Sequence, residues 1–318
     1  METWRQIQKT NFTKIDELAS FLEIDPSAIL NSPFPLNFPR RIAEKVEKGR
    51  LDDPLLMQFL PVHKETLKTP GFTADPVSDR SFQKSPRLLQ KYQGRALLIT
   101  TSACVMNCRF CFRQNYPYEQ DKDHTKEIEL IKNDPTIQEV ILSGGDPLSL
   151  SDRRLGKLIE SLSKIPHLKL LRFHTRFPIG IPERITPSFL KILEETPLQV
   201  IFILHTNHPK ELDRDVLSSL KKIQAPVLTQ TVLLKNINDN VKTLKTLFMT
   251  LISNGVIPYY LHQLDRIEQA AHFEVPIEKG QKLIDTLRKE LPGYAIPTYV
   301  QEIPHNTSKT PLTSDPLS

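Results

Sequence analysis

The stretch ACVMNCRFCFR, residues 103–113, contains all three cysteines of the chain and directly follows a predicted β-strand that begins at 97. Cys104, Cys108 and Cys111 have the spacing C-x3-C-x2-C, which places three thiolates on one short loop. Thiolate is the ligand that iron–sulfur clusters and zinc prefer. Because the chain has no fourth cysteine, a four-iron cluster held here would keep one iron open to a small molecule. We therefore expect an iron–sulfur site on this loop.

Two other interpretations of the cysteines compete with this one. They could be free buried thiols, since cysteine is often buried, although chance seldom places every cysteine of a chain within eight positions. They could also form a Cys3His zinc site, completed by His124 or another histidine. Structural zinc loops usually carry paired C-x2-C arms, which this chain lacks. A zinc-stabilised RNA-binding protein is the function that would accompany such a site.

Composition and charge limit the classes of protein that the chain can belong to. Its 318 residues suffice for one large α/β domain with appendages or for two domains, and 39% hydrophobic and 25% charged residues are globular values. The net charge of +5 is too diffuse to imply direct nucleic-acid binding. No apolar signal segment or membrane span is present in the sequence, so we expect a cytoplasmic protein without a membrane partner.

Apolar runs typical of β-strands recur from residue 97 onward, at intervals of one strand plus one helix. The runs cover 97–101, 139–143, 168–174, 200–205, 227–233 and 256–261, with a seventh at 294–300. The segments between them have helical periodicity. These units predict an α/β fold in which residues 95–290 form a partial (β/α)6 barrel, with its chemistry at the carboxyl ends of the strands. Residues 1–94 are expected to be a helical region and linker, and 291–318 a C-terminal segment.

The segment 52–89 is rich in proline and carries no enzyme motif. We interpret it as the loop-rich linker that leads into the barrel.

Two features together carry a resemblance to a known superfamily. The turn Gly144-Gly145-Asp146-Pro147 follows the second strand, as the cysteine loop follows the first. This combination resembles the radical S-adenosylmethionine (SAM) superfamily, in which an open iron of a [4Fe-4S] cluster binds SAM and cleaves it to a radical. Glycines in this turn let the backbone approach the SAM amino group.

A narrower resemblance covers most of residues 91–311 and is carried by eight short motifs. They are CRFCFR (108–113), SGGDPL (143–148), RFHTR (172–176), PERIT (182–186), NHP (207–209), PYY (258–260), AHF (271–273) and KTP (309–311). Together they resemble the lysine 2,3-aminomutases, which use SAM and pyridoxal 5′-phosphate (PLP) to move the α-amino group of lysine to its β carbon. The resemblance implies an isomerase with L-lysine as substrate and a cellular one-electron reductant.

The same resemblance assigns roles to individual residues of this chain. Lys309 matches the lysine that holds PLP covalently, and Arg113 matches the arginine that binds the substrate carboxylate. Asp265 and Glu302 match the two acids that bind the substrate ε-ammonium. The remaining cofactor-binding residues are expected to be Lys91, Tyr92, Arg95 and Gln230 for PLP, and Ser143, Gly144, Gly145, Asp146 and His205 for SAM.

Several positions depart from the lysine-fermenting members of that family. Glu302 stands where they have aspartate, His262 where they have tyrosine, and 305–308 lacks their glycine run. The chain also stops nine residues after Lys309, without their C-terminal extension, which contributes to oligomer contacts. These features resemble the short subfamily that makes (R)-β-lysine for elongation factor P, to which a separate ligase attaches it. A catabolic aminomutase acting on lysine or another amino acid is the alternative, and a homo-oligomer is left open.

Overall fold

A ten-stranded sheet, whose strands lie side by side in chain order, forms the centre of the computed structural model, which describes residues 3–119 and 123–314. Seven consecutive strands are parallel. They are β3 (Arg95–Thr101), β4 (Glu139–Gly144), β5 (Leu170–Thr175), β6 (Gln199–His205), β7 (Val227–Val232), β8 (Ile257–His262) and β9 (Thr298–Gln301). The predicted series of β/α units is confirmed.

Helices connect the parallel strands and cover the outside of the sheet. They are α4 (Thr125–Lys132), α5 (Asp152–Ser163), α6 (Phe177–Gly180), α7 (Pro187–Glu195), α8 (Arg214–Leu220), α9 (Val241–Ile252) and α10 (Ile277–Glu290). In α5, Leu155, Leu158 and Leu162 are buried on one face, as their spacing predicts. The Ser151 side chain caps the first turn by accepting from the amide of Arg154. No helix among the described residues is long and apolar enough to cross a membrane.

Short antiparallel strands extend the parallel sheet at both edges. β1 (Gln83–Ser85) and β2 (Leu88–Leu89) precede β3, and β10 (Thr310–Pro311) pairs with β9. Within the described ranges β1 and β10 are not paired with each other, so the barrel is open, as the prediction of a partial barrel requires. The pairing of β10 fixes the segment beside Lys309 to the edge of the sheet.

The seventh strand is shorter than predicted. It begins at Thr298 rather than at 294, because Gly293–Ala295 forms a 3-10 turn and a proline at 297 cannot donate to a ladder. The other parallel strands begin and end within two residues of the predicted limits. Apolar runs therefore locate these strands well, whereas their ends depend on local turn chemistry.

The N-terminal region contains three short helices, α1 (Thr3–Gln8), α2 (Ile15–Leu22) and α3 (Arg40–Ala43), joined by turns and 3-10 segments. Most of its buried apolar side chains belong to the same hydrophobic cluster as the strands of the barrel. Trp4, for example, contacts Phe177 edge to face, with ring centroids 5.3 Å apart. The division into 1–94, 95–290 and 291–318 stays a prediction.

The N-terminal region also holds the cysteine loop in place. Arg109, between the second and third cysteines, is fully buried and donates two hydrogen bonds to the carboxylate of Glu65, the one from Nε being 2.9 Å long. Asn37 donates to the backbone carbonyl of Cys104 over 3.1 Å. A buried bidentate ion pair of this kind fixes geometry firmly, because neither charge has water as an alternative partner.

Removing one partner of this ion pair should destabilise the fold. We expect Glu65→Ala to lower the free energy of unfolding by about 3–5 kcal/mol, since it leaves the Arg109 charge buried and unpaired. Urea denaturation measures this free energy of unfolding. Glu17→Ala, which breaks the exposed 2.7 Å pair with Lys14, is the control and should change stability by less than about 1 kcal/mol. Equal effects of the two substitutions would contradict the role given to Glu65.

Candidate active site

One cavity of about 370 Å³ is lined by residues of the parallel strands and of the loops at their carboxyl ends, and every residue predicted for the site lines it. The predicted residues are Lys91, Tyr92, Arg95, Cys104, Cys108, Cys111, Arg113, Ser143, Gly144, Gly145, Asp146, His205, Gln230, Asp265, Glu302 and Lys309. The structure thus brings them all together, although they come from most parts of the chain. Their individual roles stay predictions.

The three thiols of the cysteine loop lie close enough to affect one another. Burial raises the pKa of each thiol, and for Cys111 it is raised to about 11, with the neighbouring Cys108 adding to the effect. Thiols in such a place need a positive centre nearby to become thiolates. An iron–sulfur cluster provides that centre, so the residues present fit the predicted group.

The geometry does not favour the zinc alternative. No group of three or more His, Cys, Asp or Glu side chains in the described ranges is arranged to hold a single metal ion. A cubane of four irons needs its cysteines further apart than one tetrahedral ion does. His124, the predicted fourth zinc ligand, is buried beside Arg87 and Glu127. Burial lowers the pKa of His124, and the positive charge of Arg87 lowers it further.

The glycine turn after β4 packs directly against the cysteine loop. Gly144 has φ +116°, and a Cβ at Gly145 would lie 2.3 Å from the carbonyl oxygen of Ala103. The amide of Gly145 donates to Thr101 O over 2.7 Å, and the amide of Asp146 donates to Ala103 O over 2.8 Å. Both glycines are therefore needed by the contact between the two loops, in addition to the predicted approach of SAM.

Asp146 ties the end of β4 to the end of β5. Its buried carboxylate accepts from Thr175 Oγ1 over 2.8 Å, from the amide of Arg176 over 2.7 Å and from the amide of Leu148 over 3.0 Å. These partners orient the glycine turn. The predicted part of Asp146 in SAM binding stays a prediction beside this structural one.

A second part of the lining is cationic and rich in unpaired nitrogen atoms. Lys91, Arg95, Arg172 and Lys309 all line the cavity. Four buried nitrogens in this part of the lining have no hydrogen-bond partner in the described part of the chain: Nε of Arg95 and Nε2 of His174, Gln230 and His262. Nε of Arg176, beside the cysteine loop, is a fifth such nitrogen of the lining. Buried polar atoms normally have partners. The phosphate oxygens and the 3-hydroxyl oxygen of PLP would supply both acceptors and negative charge, so this lining fits PLP.

Both histidines in this part of the lining are held neutral. Burial lowers the pKa of His174 and His262 well below the usual range, and positive neighbours, Lys309 among them, lower it further. His205, predicted near SAM, is neutral for the same reason and lies 3.2 Å from the side-chain oxygen of Asn207. These rings can accept or donate hydrogen bonds without adding charge to the cavity.

Lys309 and Glu302 form the centre of a hydrogen-bonded group at the open edge of the barrel. Lys309 Nζ lies 2.6 Å from Glu302 Oε2, while Oε1 accepts from Tyr92 Oη over 2.6 Å and lies 3.2 Å from Lys91 Nζ. Burial opposes ionisation of Glu302, but these partners hold its pKa below the usual range. Glu302 is thus an ionised carboxylate with three partners.

Asp265 differs from Glu302 in its charge state. Burial raises the pKa of Asp265 to about 7, even though Lys309 favours its ionised form. The carboxyl group therefore changes charge near neutral pH, and a further cation bound beside it would favour the carboxylate.

Asp79 is a site residue that sequence reasoning missed. It lies in the 3-10 turn Asp79–Phe82, inside the segment that we interpreted as a linker, and it lines the cavity. Its Oδ2 accepts from Nε of Arg113 over 2.7 Å, and Nη1 of Arg113 lies 3.3 Å from Ser143 Oγ. No spacing or motif marks this aspartate, so only the tertiary contact shows its place in the site.

Other lining residues were noted only as parts of motifs or as departures from the family. They are Arg172, His174, Arg176, Tyr259, Tyr260 and His262. All lie on β5 or β8 or directly after β5, so their place on the strands could have identified them.

Comparison with known proteins identifies relatives of this chain. The sequence model of a family described as "4Fe-4S single cluster domain" matches residues 93–174. The chain is 38% identical to L-lysine 2,3-aminomutase of Escherichia coli K12, over 98% of this chain and 94% of that protein. It is 38% identical to the Haemophilus influenzae protein of the same name, over 91% and 87%, and 34% identical to that of Clostridium subterminale, over 82% and 64%.

A solved radical SAM methyltransferase from Sphaerobacter thermophilus is 16% identical, with a TM-score of 0.47 over 67% of this chain and 68% of that one. The fold of this chain follows from its own strand order. The open α/β barrel and the cysteine loop after its first parallel strand define the class of this protein, which is an iron–sulfur protein with an α/β barrel fold. The chain belongs to the L-lysine 2,3-aminomutase family, which confirms the resemblance drawn from its motifs.

The contact between the glycine turn and the cysteine loop is testable. We expect Gly145→Ala to lower the free energy of unfolding by about 1–3 kcal/mol, because its methyl group would overlap the Ala103 carbonyl. Iron content after reconstitution should fall with it. Gly293→Ala is the control, since a Cβ there meets nothing within 4 Å. Full iron content and unaltered stability in Gly145→Ala would show that the contact is unimportant.

Proposed function

We propose that this chain is an L-lysine 2,3-aminomutase that moves the amino group of L-lysine from C2 to C3, giving β-lysine. The observation that carries this proposal is the single cavity that brings the cysteine loop, Lys309, a positively charged lining and a pair of acids together. The names of the relatives support the same reaction.

The cofactors follow from the groups that the cavity offers. Cys104, Cys108 and Cys111 would hold the [4Fe-4S] cluster. The turn that begins at Ser143, together with nearby backbone carbonyls of the cysteine loop, would bind SAM. Lys309 would anchor PLP, with the remaining PLP residues Lys91, Tyr92, Arg95 and Gln230 around it. When bound, the cluster and SAM supply a hydrogen-abstracting carbon radical, and PLP stabilises the nitrogen that migrates.

The chain itself positions the two ends of the substrate. Arg113, which lines the cavity, binds the substrate carboxylate, and Asp79 holds the guanidinium in place by accepting from its Nε. Asp265 binds the distal ammonium, because a further cation beside its buried carboxyl would favour the carboxylate. Glu302, which is held by Lys91 and Tyr92, adds negative charge beside it. Opposite charges at the two ends select a diamino acid over glutamate.

Apolar side chains keep water away from the reacting atoms. Val105, Met106, Phe110 and Ile141 line the cavity together with the polar residues, and all four are buried. A reactive group formed among them would be kept from side reactions with solvent. The cavity wall thus protects the intermediate as well as positioning the substrate.

The finer part of the proposal concerns the product and its use. Glu302, His262 and the segment 305–308 share the departures of the subfamily that makes (R)-β-lysine, which supports that enantiomer. The product would then serve a lysyl ligase that modifies elongation factor P in the cytoplasm. A cellular one-electron reductant would supply the cluster with electrons.

Anaerobic purification followed by a turnover assay tests the function. We expect about four irons, four sulfides and one PLP per chain, and conversion of L-lysine to (R)-β-lysine with SAM and a reductant. Chiral chromatography separates the enantiomers, and L-glutamate is the control substrate. The S enantiomer would support a catabolic enzyme instead. One zinc with neither sulfide nor PLP would overturn the enzyme and favour a zinc-stabilised binding protein.

Replacing the anchor lysine should separate the two halves of the site. We expect Lys309→Ala to lose the PLP absorbance and turnover while keeping its iron and sulfide, because Lys309 is not part of the cysteine loop. The visible spectrum and metal analysis measure both. Lys279→Ala, which removes a lysine whose salt bridge is to Asp239, is the control and should keep both cofactors. Normal turnover by Lys309→Ala would disprove the assignment.

The pKa of Asp265 predicts how lysine binding depends on pH. Because that pKa is raised to about 7, the group is protonated below pH 7 and the KM for lysine should rise as the pH falls through it. Asp265→Asn should raise KM by about 10- to 100-fold above pH 7, where the parent carboxyl is ionised, and should remove this dependence. Asp239→Asn, which alters the surface pair with Lys279, is the control. An unchanged pH profile in Asp265→Asn would contradict the role.

A further inference from the structure

A buried polar network joins the N-terminal region to one cysteine of the loop, and the proposed reaction does not use it. Arg176, directly after β5, donates from Nη1 to the sulfur of Cys108 over 2.9 Å. Its guanidinium also lies over the ring of Phe59, 4.9 Å from the centroid. A cationic donor is therefore fixed on a sulfur that is expected to ligate the cluster.

Two acceptors from distant parts of the chain hold the other nitrogen of Arg176. Nη2 donates to Gln58 Oε1 over 2.6 Å and to Glu211 Oε1 over 3.1 Å. Gln58 belongs to the N-terminal region and Glu211 follows β6, and both side chains have no exposed surface. Gln58 Nε2 also donates to Glu211 over 3.0 Å, which closes the group.

Further bonds fix Glu211 itself. Its Oε2 accepts from Thr206 Oγ1 over 3.0 Å, and its Oε1 accepts from the amide of Asn207 over 3.2 Å. Arg176 therefore cannot turn away from Cys108 without breaking several buried bonds. A lysine could not replace it, because an ammonium has no fork that reaches the sulfur and both acceptors at once.

A donor on a ligating sulfur changes how easily the cluster is reduced. Reduction adds negative charge to the cluster and its thiolates, and a hydrogen bond or nearby cation stabilises the reduced form more than the oxidised one. In a buried site this effect is weakly screened. The potential therefore rises when such a donor is present.

We propose that Arg176, held in place by Gln58 and Glu211, sets the reduction potential of the cluster through its hydrogen bond to Cys108. Arg176 is in this sense a positioning and tuning residue, and Gln58 gives the N-terminal region a part in it. The inference rests on the proposed cluster site. It goes beyond that site by assigning a redox role to residues outside the cysteine loop.

Redox titration of the reconstituted protein, followed by electron paramagnetic resonance in the absence of SAM and lysine, tests the inference. We expect Arg176→Gln to titrate at a more negative midpoint potential than the parent protein. Arg176→Lys should give a smaller shift in the same direction, because it keeps the charge and loses the fork. Gln58→Leu changes no charge, so a more negative midpoint potential in this variant reports the loosened guanidinium alone.

Arg109→Gln is the matched control. Arg109 is a buried arginine next to Cys108 in sequence, but its described bonds go to Glu65, Ser32 and Phe34 rather than to sulfur. We expect the shift in Arg176→Gln to be at least about twice the shift in this control. Equal shifts would overturn the inference, because they would report buried charge in general.

Two failures can be told apart by metal analysis. If the parent protein binds no iron and sulfide, the proposed cluster site is wrong and the inference falls with it. If Arg176→Gln holds a full cluster and its midpoint potential is unaltered, the inference alone is wrong. The stretching frequency of the iron–cysteine bonds, from resonance Raman spectra, gives a second readout and should rise when the hydrogen bond is lost.

Discussion

The site depends first on the contact between the cysteine loop after β3 and the glycine turn after β4. Backbone amides of the turn donate to carbonyls of the loop, and the approach is so close that a side chain at Gly145 would overlap the Ala103 carbonyl. Because β3 and β4 are parallel neighbours, their carboxyl ends meet at one edge of the sheet. The pairing of these two strands therefore brings the thiols beside the turn that is expected to receive SAM.

Charged groups around this contact fall into two kinds. Arg109, Arg113 and Arg176 each bond to a buried carboxylate from another part of the chain, so their positions are fixed before any ligand arrives. Other groups lack hydrogen-bond partners in the described residues, and they lie in the part of the lining that fits PLP. Examples are Nε of Arg95 and the side-chain amide nitrogen of Gln230. Fixed pairs give the cavity its shape, and unpaired atoms are available to the cofactor.

The N-terminal region is part of this arrangement rather than an appendage to it. Glu65 holds Arg109 beside the cysteines, Gln58 holds Arg176 on a sulfur, and Asp79 holds Arg113 at the substrate end. All three come from residues before the barrel. Each fixes an arginine because a buried guanidinium needs acceptors on several sides, which a single strand end cannot supply.

The sequence by itself determined the cysteine loop, the series of parallel strands and part of the cavity lining, because these depend on local spacing and on short motifs. Only the tertiary structure showed the two-residue strands β2 and β10, which are too short to leave a periodic signal. It alone also placed Asp79 in the cavity lining and joined Gln58 and Glu211 to Arg176. Gln58 and Arg176 are 118 residues apart, and such a pair forms only when the chain packs, since no spacing along the sequence records it.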